Sequence, residues 1–131
     1  MCFCLLPNAA LAENIDAKYK PLKTGGAWVY SVESEFDDVK DSLVEAIESR
    51  GMVISYVSHA ESMLARTAST LGGKVVYSDA EVLLFCKANL AHRLVAANPH
   101  NLILCPYAMS IYALADDSSR IYVGIRAPQT K

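Results

Sequence analysis

Nowhere in this chain do lysine and arginine gather into a block, and its 12 basic residues are outnumbered by 14 acidic ones. Nucleic-acid binding leaves a basic patch as its electrostatic footprint, so the charge pattern predicts no nucleic-acid partner. No stretch approaches the ~20 consecutive apolar residues of a membrane span, and none is expected. Enzyme signatures are equally scarce. Leu71-Gly72-Gly73-Lys74 has neither the spacing of a phosphate-binding loop nor the hydroxyl residue that should follow the lysine. There is no G-x-S-x-G elbow to present a serine nucleophile. Neither C-x-x-C nor H-x-x-x-H occurs, which removes the familiar zinc spacings. Internal repeats and low-complexity segments are missing too.

What remains is a chain built to bury a core. It has 131 residues, 53% hydrophobic and 20% charged, the size of one ordinary domain. At this length folding buries roughly 65–70% of the surface of the unfolded chain, so neither a metal nor a disulfide is needed merely to fold. One Trp and three Phe stand against seven Tyr. Tyrosine packs its ring while its hydroxyl reaches water, which suits a half-wet sheet face.

Residues 1–12 differ from the rest, being uncharged and apolar until polarity begins at Glu13. Ala10-Leu11-Ala12 is the small-x-small pattern accepted by signal peptidase, so this segment reads as the truncated tail of an export signal. The expectation is an exported, periplasmic-type protein, or a cytoplasmic one if the segment is no signal. Cleavage before Glu13 would remove Cys2 and Cys4 and leave two cysteines, Cys86 and Cys105, in an oxidising compartment.

Residues 13–26 read as a polar N-terminal arm, and 27–128 as a single domain. Ala27 to Val32 alternates as a strand. Ser34-Glu35-Phe36-Asp37 has capping-box form, and Phe36, Val39, Leu43 and Ile47 then line one face of a helix that Arg50-Gly51 stops. Met52 to Val57 is a β-branched strand. Ser58-His59-Ala60-Glu61 repeats the capping pattern before a helix bearing Leu64, Ala68 and Leu71. Val82 to Cys86 reads as a strand covered on both sides. Asn89 opens a third helix with Leu90, Leu94 and Ala97 aligned, ended by Asn98-Pro99. Leu102 to Cys105, Met109 to Leu114 and Ile121 to Ile125 read as strands, the last two forming a hairpin. The order predicts an α+β fold: a two-layer α/β sandwich, with a mixed sheet, three helices on one face and a C-terminal β-hairpin.

The candidate site residues are few. His92 sits about 200° from the apolar stripe of its helix, and so faces water. His100 lies in the loop before Cys105, where it either contributes to a site or satisfies helix-end carbonyls. His59 stands where a strand meets the first turn of a helix, a position that favours the neutral, ligand-competent imidazole but also suits plain capping. Arg66 and Arg126, with His59, offer cations to an anion or lie solvated. Cys86 and Cys105 have three readings: buried apolar thiols, a disulfide contributing about 3 kcal/mol, or ligands of a transition metal or haem with His100 and His59.

Several stretches, taken in order, resemble the bacterial family called domain of unknown function 302. They are Phe36 to Gly51, Met63-Leu64-Ala65-Arg66-Thr67, Ala80-Glu81-Val82, Phe85-Cys86, Asn98-Pro99-His100-Asn101, Cys105-Pro106-Tyr107 and Arg126-Ala127-Pro128. The likeness runs from about Val29 to Pro128. It departs from the family's pattern at Lys87, Asn98, Tyr107 and Ala127. The resemblance implies a two-layer α/β sandwich, often a homodimer, and supplies no catalytic residue. Together these readings lead to an exported soluble binding or interaction domain without catalysis of its own. Its ligand or protein partner would meet a tyrosine-bearing sheet face or a loop cleft. The alternatives are a metal- or haem-binding protein using Cys86, Cys105, His100 and His59, and a thiol enzyme with Cys105 as nucleophile and His100 as base.

Overall fold

The structure, a computed structural model, describes residues 20–128. The export-signal reading of residues 1–12 and most of the arm therefore lie outside the described residues. The elements are β1 (Leu22–Thr24), β2 (Ala27–Glu33), α1 (Phe36–Glu48), β3 (Val53–His59), α2 (Ala60–Leu71), β4 (Tyr77–Cys86), α3 (Ala88–Ala97), a 3₁₀ helix (Pro99–Leu104), β5 (Tyr107–Leu114) and β6 (Asp117–Arg126). One six-stranded sheet has the order β1-β2-β6-β5-β4-β3.

The α+β sandwich expected from the periodicities is present, with the C-terminal hairpin formed by β5 and β6. The sheet differs from expectation in that every pair is antiparallel. The strand–helix–strand alternation suggests parallel crossovers. Here, however, α2 merely bridges two antiparallel neighbours, β3 and β4, and α3 with the 3₁₀ helix bridges β4 and β5. Only α1 carries the chain across the sheet, from β2 to the far edge at β3.

That helix makes the core. Ile47 on α1 is buried, and it joins Leu83 and Phe85 of β4, Ile111 and Ala113 of β5, and Ile121 of β6. Phe36, Val39 and Leu43, the stripe read from spacing, pack against this cluster. Burying one such aliphatic side chain contributes roughly 1.5–3 kcal/mol, so this face drives folding. Neither α2 nor α3 has a buried residue. The expected three-helix layer is thus one core helix, with α2 against β4 and α3 against the 3₁₀ helix.

Local signals explain most boundaries. Gly51 and Gly72 adopt φ of +72° and +68° just past the helices they stop, a conformation glycine reaches without strain. The capping boxes do not form. Glu35 is the N-cap of α1 without a side-chain bond, because the Ser34 amide still donates to Ser119 O at 3.1 Å and stays with the sheet. His59, not Ser58, precedes α2, and Lys87, not Asn89, precedes α3. Leu22–Thr24, expected as arm, pairs with β2 across the Gly25-Gly26 turn.

The hairpin register sets the second sheet face. Ile111 lies opposite Val123, and Tyr112 opposite Tyr122. Side chains alternate along a strand, so with Ile111 and Ile121 in the core the two tyrosines face away from α1. Their rings stack at 5.3 Å, and Tyr77 meets Tyr112 edge-on at 5.6 Å. Burial, then the neighbouring Tyr77 and Tyr122, push the Tyr112 hydroxyl above its ordinary pKa.

Candidate functional site

The end of the sheet where β4 stops is assembled from residues close in sequence. After Cys86 the chain enters α3 at once, with Lys87 as its N-cap. Asn98 breaks that helix: its backbone is extended, and its side chain accepts from the His100 amide at 3.0 Å. Pro99 then starts the 3₁₀ helix, since its fixed φ suits a first helical position. Leu102 to Cys105, expected as a strand, is therefore the last turn of this helix and its cap. Asn101 Nδ2 donates to Leu94 O at 2.9 Å and ties the 3₁₀ helix to α3.

This path brings Cys105 back to Cys86. Their Cα atoms are 6.1 Å apart and their sulfurs stand at disulfide distance. Two residues on, Tyr107 pairs with Phe85, and the rings lie 5.9 Å apart. Beside them opens a cleft of about 790 Å³ between α3, the 3₁₀ helix and the ends of β5 and β6. Leu90 and Leu94 of α3, Ile103 of the 3₁₀ helix, and Phe85, Tyr107 and Ile125 of the sheet line it. Arg126 is the one charged lining residue among the described residues. Ile103 is 87% exposed, an unusual position for so large an apolar side chain.

His92 is exposed on α3, as its helical angle implies, and His100 is exposed in the first turn of the 3₁₀ helix. No hydrogen bond joins His100 to Cys105 among the described residues. His59 and Arg66 lie elsewhere. His59 pairs with Glu81, five residues along β4 from Cys86, a distance of about 17 Å at strand rise. The four residues advanced as a Cys/His ligand set are thus split between the end of β4 and its middle. Among the described residues no group of three or more His, Cys, Asp or Glu is arranged to hold a metal ion.

Glu81 is the residue that sequence reading missed. It is 9% exposed, on the core face with Leu83 and Phe85. Lys40 Nζ of α1 lies 2.7 Å from Oε2, and His59 Nδ1 lies 3.2 Å from Oε1. The signal was there: in Ala80-Glu81-Val82-Leu83, period two puts the acid on the buried face. Nearby Glu61 is pushed up by burial. That is outweighed by hydrogen bonds from its own amide, the Ser62 hydroxyl and the Ala80 amide, and by the His59 charge, so its carboxyl sits below its ordinary pKa.

Residues 28–130 match the family described as Domain of unknown function DUF302. The chain belongs to the DUF302 family. A solved structure described as an uncharacterized conserved protein DUF302 from Bacillus stearothermophilus shares the fold, with a TM-score of 0.61. The two are 14% identical, and the alignment covers 79% of this chain and 74% of that one. No match was found among curated proteins. In this DUF302 chain the match begins at Trp28 and leaves β1 outside it. The core strands, the cysteine pair, the cleft and Glu81 all fall within it.

Proposed function

We propose that this DUF302 protein is an exported binding domain without catalysis of its own, and that its cleft takes a small amphiphile. The ligand has an apolar body and one anionic group. One observation carries the reading: a cleft of about 790 Å³, lined by aliphatic and aromatic side chains, has Arg126 as its single charge among the described residues. Small-molecule sites have this size and make-up, with few polar groups fixing orientation. A guanidinium suits a carboxylate or sulfonate, which it engages through two parallel hydrogen bonds. Export is supported by the cysteine pair, because disulfides persist in oxidising compartments. There the oxidised pair fixes the chain between α3 and β5, on which one wall of the cleft depends.

The test uses anilinonaphthalene sulfonate, an apolar anion whose fluorescence rises on burial. The full chain should bind it saturably, and decanoate should displace it. Arg126→Gln should weaken binding about tenfold, the worth of one charge-assisted contact. Ile103→Asp should abolish it while leaving the fold intact, since Ile103 is 87% exposed. Dye uptake unchanged in both variants would overturn the proposal.

A further inference from the structure

Midway along β4 lies a second constellation, independent of the cleft. Glu81 is buried and held by Lys40 from α1, so its charge is already compensated on one side. Its other oxygen receives His59 Nδ1 at 3.2 Å. This contact leaves Nε2 as the ring nitrogen that does not face Glu81. The His59 side chain is 60% exposed. It lines an open depression of about 800 Å³ shared with Arg66, Ser58 and Tyr56. Arg66 Nε donates to Ser62 O at 3.3 Å, one turn back on α2. Among the described residues no carboxylate pairs with its guanidinium. Glu61, the acid closest in sequence, accepts from the Ser62 hydroxyl at Oε1, 3.0 Å away.

We propose that this depression is an oxyanion site for a phosphate-type group, free or carried on a small molecule. Arg66 supplies the fork and the His59 ring the second donor. Glu81 is a positioning residue: it stands against the imidazole at Nδ1.

The full chain offers internal controls, because His92 and His100 are exposed histidines away from this depression. The imidazole signals of all three are followed by NMR during titration with inorganic phosphate at constant ionic strength. The His59 signals should shift saturably while His92 and His100 stay put. Arg66→Gln should weaken binding about tenfold. Equal responses from the three histidines, or affinity unchanged in Arg66→Gln, would overturn the site.

Discussion

A single tyrosine shows how position sets chemistry. Tyr112 lies on the outer sheet face between Tyr77 and Tyr122, and its hydroxyl is held above the ordinary pKa by burial and by those two neighbours. The folded state therefore holds the proton more tightly than the unfolded chain does. The stability this contributes is whole below about pH 10 and is lost as pH rises from there through the higher folded value. Urea midpoints at pH ~9 and ~11 should fall further for the native chain than for Tyr112→Phe, and equal falls would refute the assignment. Tyrosine abundance alone pointed to a half-wet sheet face. Which tyrosines stack depends on register, and one residue of turn length decides that. Glu81 was hidden differently: beginning the strand at Val82 left the acid outside the apolar run, although its partner Lys40 stood in plain view on α1.

At the scale of elements, strong periodicity was legible and chain reversal was not. The stripe Phe36, Val39, Leu43 and Ile47 reads as a core helix because 3.6-residue spacing and burial agree, and α1 is that helix. Leu102 to Cys105 reads as a strand because its residues are β-prone. The turn that begins at Asn98 and Pro99 continues through them and makes a 3₁₀ helix instead. That helix returns Cys105 to Cys86, a closure across 19 residues. In the chain-entropy account a loop of that length is stabilised by about 3 kcal/mol. Cys86→Ser should therefore lower the urea-derived stability of the oxidised protein by about that amount, as should reduction with dithiothreitol, and reduction should have no further effect on the variant. Alkylation followed by mass spectrometry reports which state is present. An unchanged midpoint on reduction would show that the pair does not brace this end of the sheet.

Over the whole molecule, the layer architecture was readable from alternating amphipathic segments, whereas strand direction was not. Direction depends on where a helix returns the chain, and two of the three helices return it to the neighbouring strand. The antiparallel order leaves the β4–β5 connection free to form a cleft at one end, while the Glu81 constellation stands midway along β4. The residues of the cleft, Leu90, Leu94, Ile103, Tyr107 and Arg126, come from four elements. No local motif announces such a set. Arg126 was visible as a cation for an anion, but its apolar partners across the cleft were not.

The central claim is that this cleft, and not the outer sheet face, receives an apolar anion. Methyl NMR of the oxidised full chain, titrated with decanoate, tests it most directly. The account predicts saturable shifts confined to Leu90, Leu94, Ile103 and Ile125, with Val29 and Val82 of the outer face silent. Shifts centred on Val29 and Val82, or none at any methyl, would contradict it.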